Sequence, residues 1–386
     1  MTSHLFWYPG HELHFTDIVR AEGCYLYDTE GKRYVDLESG VWCASIGHGH
    51  PRVLRALVEQ AARISHAGFG YTSPIVEETA QDVLSLLGFQ GGRCVFLCSG
   101  SEAVEYGVRV AQAVVDRPLL LTMTDSYFGA YGSAARKGEG EWFCFDWSRC
   151  AGGCGERCPH WAEIPFDRIG GFLFEPGSSS GLVRFPPRGL IEAIVRSVTE
   201  RNGLVLVNEV TTGIGRTGEW FGHQHYGFTP DIVAMGKGIG AGYPVSATAF
   251  APRAAERCPE PIKFAQSHQN DPLGAAVVRE VLRVIREERL IERGREAGAA
   301  LLAGLESIRS RNREIRQVRG RGLMVAVELV DDPNLTLTTR VHRGLVQRGF
   351  IVGRRPGVNV LRLDPPLTID LRDVEEFLRT LNEVLA

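Results

Sequence analysis

Cys94–Val115, CVFLCSGSEAVEYGVRVAQAVV, carries two periods in one stretch. Cys94–Cys98 is an unbroken apolar run, the pattern of a strand buried on both faces. After a break at Ser99-Gly100-Ser101, the apolar positions change to helical spacing through Ala103, Tyr106, Val110 and Val114. The reading is strand, glycine turn, helix. The same alternation continues along the chain. Leu119–Thr122, Phe172–Phe174, Leu204–Val207 and Ile232–Met235 are further strand candidates, with a helix over Gly189–Arg201 between two of them. Such alternation implies an α/β fold, a mostly parallel sheet with helices on both faces. Ligands of these sheets sit at the carboxyl ends of the strands, so the residues just after each apolar run carry the interest.

Moving outward, Gly23–Leu37 reads as a hairpin turning at Thr29–Gly31. Gly274–Arg311 is a long helical stretch. Gly322–Leu329, Ile351–Val352 and Val360–Leu363 are late strands, and Leu371–Leu385 is a closing amphipathic helix. These ends suggest a smaller α+β domain built from residues 1–50 and 290–386. Residues 51–289 would form the large domain. At roughly 150 residues per domain, a chain of this length allows two or three.

The 386 residues are 44% hydrophobic and 23% charged, which excludes disorder and coiled coil. No apolar run approaches the roughly 18 to 20 residues that cross a bilayer, so no membrane partner is expected. A net charge of −3 argues against nucleic-acid binding. The first fifteen residues lack the pattern of a signal peptide. Nine Cys, an odd number in a large chain, does not suit a secreted disulfide framework, and the expected location is a reducing cytoplasm. Lys occurs only at 32, 137, 237 and 263. Chemistry that requires a primary amine therefore has four candidates.

Lys237 is the best placed of them. It follows the strand in Asp231–Gly238, DIVAMGKG, between two glycines. A Lys held there has access to a ligand's carbonyl carbon and a pKa lowered by partial burial, as a Schiff-base amine needs. A surface Lys in a glycine turn is the plain alternative. Lys137 sits in the polar run RKGEGE and Lys32 in a polar turn. Ser99–Ala103, SGSEA, offers a phosphate cradle at a helix start. Ser99 and Glu102 are also the pattern of an ordinary capping box.

Together these stretches resemble the class III (ornithine/omega) aminotransferases among the fold-type I pyridoxal-phosphate enzymes. The resemblance spans nearly the whole chain: GHGHP at 47–51, SGSEA at 99–103, Glu175-Pro176, NEVTTGIGRTG at 208–218, PDIVAMGKGIGAGYP at 230–244, NDPLGAA at 270–276, GRGLM at 320–324 and LRLDPPL at 361–367. It implies that Lys237 forms an aldimine with pyridoxal 5'-phosphate and that Gly100 and Ser101 bind its phosphate. Tyr127 would stack on the ring, with Phe128 where His is common, and Val210 would pack on the other face. Glu175 and Asn208 fall in the cofactor-binding set. Ser267 would reach the phosphate of a neighbouring subunit, which implies a homodimer with its sites at the interface. Arg362 matches the residue that binds a substrate carboxylate, and Trp42 and Tyr71 fall where the family has substrate-pocket residues, although core packing suits them equally. Amine and keto acid are the implied substrates. His48 and His50, in the GHGHP turn, are expected to be structural.

Three departures stand out. Asn208 replaces the Asp that normally pairs with the pyridinium nitrogen; an amide bonds to that nitrogen without holding its charge, which weakens the electron sink. Ser180 stands where many relatives have a second Glu that pairs with the carboxylate-binding Arg, so Arg362 is expected to be free for a substrate anion, with Arg354 and Arg355 as added positive charge. Cys144, Cys150, Cys154 and Cys158, with His160 behind them, form a thiol cluster suited to a structural zinc, although an iron–sulfur cluster and simple thiols or disulfides also fit. The leading function is amino-group transfer from an amino acid or ω-amino compound to a keto acid. A lyase (ammonia- or phospho-lyase), racemase or isomerase on the same scaffold is the alternative that Asn208 motivates, and a non-catalytic metal-containing partner protein is a third. Keto product with pyridoxamine phosphate, against ammonia, phosphate or an epimer, separates the first two.

Overall fold

A computed structural model describes residues 4–7, 13–117, 119–150, 156, 158–260, 262–330 and 332–386. Its central sheet has seven strands, in the order Arg93–Leu97, Ser246–Phe250, Ile232–Met235, Leu204–Asn208, Ile169–Phe174, Leu119–Met123 and Trp142–Phe145. Neighbours run parallel except at Ser246–Phe250, which is antiparallel to the strands on both sides.

The alternation of side chains sends each strand into two layers. Val95, Leu97, Leu206, Ile232 and Ala234 meet the helix Gly100–Val114 through Ala103, Val104 and Val108. On the opposite face Phe96, Val233, Met235, Ala247 and Ala249 pack in one cluster with Val277 and Val281 of the helix Pro272–Glu287. Further along the sheet, Phe172, Val205 and Val207 cluster with Ile191 and Ile194 of Arg188–Glu200. Each such side chain taken fully from water contributes about 1.5–3 kcal/mol, which is why these strands read as continuous apolar runs.

Two four-stranded sheets complete the molecule. Ile18–Glu22, Tyr25–Asp28 and Arg33–Asp36 form a meander that accepts Phe350–Ile351 in parallel on Arg33–Asp36. Ile315–Arg321, Met324–Leu329, Val360–Leu363 and Gly353–Arg354 form the other. In the expected hairpin, Asp28 Oδ1 accepts from the amides of Glu30 and Lys32 at 3.0 and 2.9 Å, and Gly31 takes φ +83°. The long helical stretch after residue 274 is two helices, Pro272–Glu287 and Leu290–Arg309; Arg289 at φ +53° breaks them.

Candidate active site

Lys237 opens a 3-10 turn directly after Ile232–Met235, with its own backbone at φ +46°. Its Nζ donates to Thr211 Oγ1 at 3.2 Å and lies 4.5 Å from the centroid of the Trp42 ring. Burial lowers its pKa from 10.5 to about 8, and the nearby Arg362 pushes the same way. A neutral amine, the nucleophilic form, is thus present in quantity near neutral pH.

Three strand ends converge on this amine. A Cβ on Gly100 would stand 2.7 Å from Val210 Cγ1, so only glycine lets the first turn of Gly100–Val114 approach Val210 this closely. Ser99 closes a capping box: its Oγ accepts from the Glu102 amide, and Glu102 Oε2 accepts from the amides of Cys98 and Ser99 at 2.8 Å each. The cap occupies Ser99 and leaves the amides of Gly100 and Ser101, which have no intrahelical acceptor, at the positive end of a 15-residue helix. Ser101 Oγ accepts from Ala130 N at 3.0 Å and keeps its proton to donate. The capping box is formed, and it leaves these amides open.

The ring-binding candidates form one network. Tyr127 is 47% exposed. Its amide donates to Glu175 Oε2 at 3.0 Å, and its carbonyl accepts from Asn208 Nδ2 at 3.0 Å. Asn208, buried as the last residue of its strand, accepts from the Val210 amide through Oδ1 at 3.1 Å. Both ends of the carboxamide are thereby committed, and an oxygen in place of Nδ2 would face the Tyr127 carbonyl. Burial raises Glu175 to about 7, partly offset by a 2.5 Å hydrogen bond from Ser179. Phe128 is buried in the apolar layer with Leu97, Leu120 and Leu173. Lys137, unremarkable in the sequence, fixes this loop: its ammonium donates to the carbonyls of Met123 at 2.8 Å, Thr124 at 3.0 Å and Ser126.

Arg362 corrects an expectation. It is not free. Glu38 Oε1 lies 3.0 Å from its Nη2 and Asp364 Oδ2 3.8 Å from its Nη1, and the guanidinium carbon is 3.9 Å from the Trp42 ring centroid. The carboxylate that Ser180 does not supply comes from a segment that no motif marks. That segment leads into four successive residues in the left-handed region, Ser39, Gly40, Val41 and Trp42, at φ +50°, +53°, +58° and +66°. Such backbone costs roughly 1–2 kcal/mol per non-glycine residue. Asp36 holds the turn by accepting from the amides of Glu38 and Gly40 at 2.9 and 3.0 Å, and Ser39 Oγ donates to the Asp364 carbonyl at 2.5 Å. The result fixes the buried Trp42 between Lys237 and Arg362.

The remaining candidates are dispersed. Tyr71 and Ser267 are exposed. His48 Nε2 meets Asp36 Oδ2 at 2.8 Å, and His50 Nε2 lies 3.4 Å from Glu288. His223 pairs in the interior with Glu209 at 2.8 Å. Of the thiol cluster, Cys150 and Cys158 approach to 3.4 Å, whereas Cys144 donates to the Lys137 carbonyl at 3.0 Å. Cys154 lies outside the described residues, and among the described residues no group of three metal-ligating side chains forms at this cluster.

An amine at a strand end, a helix-start cradle and an aromatic on a tethered loop fit a phosphorylated aldehyde. The sequence itself matches the family described as Aminotransferase class-III over residues 8–135 and 160–385. The chain belongs to the class III aminotransferases. Pyridoxal phosphate is the cofactor of this family, and PLP-dependent amino-group transfer is its chemistry. Similar proteins include an ornithine aminotransferase of Bordetella pertussis, 29% identical over 96% of this chain and 91% of that protein. A leucine/methionine racemase of Thermococcus litoralis is 28% identical over 95% of this chain and 90% of that one. The crystal structure of an (S)-enantioselective omega-transaminase from Thermomicrobium roseum superposes with a TM-score of 0.86 at 28% identity, covering 96% of this aminotransferase and 93% of the other chain. No helix among the described residues is long and apolar enough to cross a membrane.

Proposed function

We propose that this aminotransferase takes an amino group from an amino acid or ω-amino compound and passes it to a keto acid, working as a cytoplasmic homodimer to which Ser267 contributes across the interface. Lys237 carries the reading, being a buried amine of lowered pKa at the mouth of the phosphate cradle. Bound pyridoxal phosphate supplies an electron sink for the carbon next to the transferred nitrogen.

The chain's own residues do the rest. The amides of Gly100 and Ser101 would receive the phosphate. Tyr127 and Val210 would flank the ring, and the second Nδ2 hydrogen of Asn208 would meet its nitrogen. Lys237 is the residue that would hold the aldehyde, and its Nζ, oriented by donation to Thr211 Oγ1, would move a proton at the site. Arg362 receives the substrate carboxylate in exchange for Glu38.

Borohydride reduction of the cofactor-loaded protein followed by peptide mapping is expected to find the pyridoxyl group on Lys237. A tag elsewhere, or none, would overturn the proposal. Racemisation is the second reading, favoured by the committed Asn208 amide, because a weaker sink suits proton return over transfer. Product analysis on a panel of amines separates them: a keto product supports transfer, an epimer supports racemisation.

A further inference from the structure

A cavity of about 410 Å³ lies beside the cofactor-binding residues and shares Tyr127 with them. Two of its lining residues, Arg184 and Arg355, make no ion pair within 4.0 Å among the described residues, and Asp125 in the same wall is the carboxylate on which the Arg184 charge acts. Arg355 is placed by the backbone opposite. Gly181 has φ +97°, and a Cβ there would stand 2.6 Å from Arg355 Cδ and 2.7 Å from its Cβ, so only glycine lets the arginine stem lie across the loop. Two polar atoms in the same wall are buried without a hydrogen-bond partner, Ser180 Oγ and Asp125 Oδ2. The other Asp125 oxygen accepts from Trp147 Nε1 at 2.9 Å. The second acid in the wall, Asp146, is committed to Ser148 and Arg149. Buried polar groups without partners mark a place that a ligand completes.

We propose that this cavity is a second anion subsite, taking a carboxylate or phosphoryl group at the far end of a substrate whose amino end faces Lys237. The proposal deepens the aminotransferase reading and rests on it. Two guanidinium groups present planar donor pairs that match the oxygens of either anion. Ser180 adds a hydroxyl donor, at the place where a Glu would neutralise an arginine. Burial raises the Asp125 carboxyl above its usual range, and the charge of Arg184 acts the other way. Arg362 does not serve the far end, because it is the group that receives the carboxylate near the amino end in exchange for Glu38.

Three amino donors of equal length test this, ending in a carboxylate, a phosphonate or a neutral carboxamide. With the holoenzyme, KM for one charged tail is expected to be at least tenfold below that for the carboxamide, and the better of the two identifies the anion. Arg184→Gln with Arg355→Gln should reduce that ratio to near one, and Arg184→Lys with Arg355→Lys should retain part of it. Equal KM for all three tails overturns the proposal, as does a charged-tail preference that survives the double Gln change. Failure of the aminotransferase reading looks different, since no donor would then turn over. Calorimetric titration of the holo chain with glutarate and methylphosphonate still reads the subsite: binding lost in the double Gln variant supports it, and absence of binding in the unaltered protein overturns it.

Discussion

The amine at 237 sets the pH range in which the cofactor can be captured. Its pKa of about 8 lies below the usual 10.5 because burial penalises the charged form, so the neutral fraction rises as pH increases through about 8. The rate at which the apo protein develops the cofactor chromophore should climb through that value and level off above it. A climb centred near 10.5 would show the amine to be exposed. Asn208 makes a second prediction. Replacement by Asp should speed the half-reaction about tenfold, because a carboxylate keeps the ring nitrogen protonated. It should also cost about 1–3 kcal/mol of stability, since an oxygen would then face the Tyr127 carbonyl that now accepts from Nδ2. Stopped-flow spectra and chemical denaturation read the two effects separately, and an unchanged half-reaction rate removes the electronic argument. The strand end at Lys237 and the helix start at Ser99–Ala103 are legible from sequence because each is a run of neighbours in the chain. Lys137 is not, because its three carbonyl acceptors are gathered by a loop closing in space.

Among the elements, the left-handed turn Ser39–Trp42 connects strain to substrate choice. It places Trp42 against both Arg362 and Lys237, and the residue before it, Glu38, against Arg362. Burial holds the Glu38 carboxyl above its usual range while Arg362 opposes the shift, and the contact is a single 3.0 Å pairing that a substrate carboxylate can replace. Glu38→Gln should therefore lower KM for donors bearing a carboxylate about three- to tenfold, by freeing the guanidinium, with a smaller effect on donors lacking one. Steady-state kinetics on a matched acid and amine decide it; an equal change for both would make Glu38 a packing residue. No sequence pattern announces this turn, since consecutive positive φ at Ser, Val and Trp runs against local preference and is imposed by Asp36 and Asp364 from outside. The strands of the central sheet show the opposite case. Those buried on both faces are continuous apolar runs and appear where the residues suggest. Ser246–Phe250, built of small residues after a glycine-rich turn, escapes notice although it is interior to the sheet.

At the scale of the molecule, the site is assembled from distant parts of the chain. Ser99–Ser101, Tyr127, Asn208–Thr211 and Lys237 come from separate strand ends, and Glu38 and Arg362 come from near the two ends of the sequence. The pairing of Phe350–Ile351 with Arg33–Asp36 shows why this part was only coarsely legible: long-range pairing leaves no local periodicity. A ligand that bridges such parts stabilises the folded state by mass action, about 2.7 kcal/mol at a hundredfold excess over its dissociation constant. The holo protein should therefore melt about 3 °C above the apo protein. Its amide exchange should slow at the loops around Ser99–Ser101, Tyr127 and Lys237 and remain unchanged in the helix Leu371–Leu385. Lys237→Ala should keep part of the thermal shift, because the cradle and Tyr127 still bind the cofactor without the covalent bond. Equal melting of apo and holo forms would mean that these strand ends are not joined through one ligand.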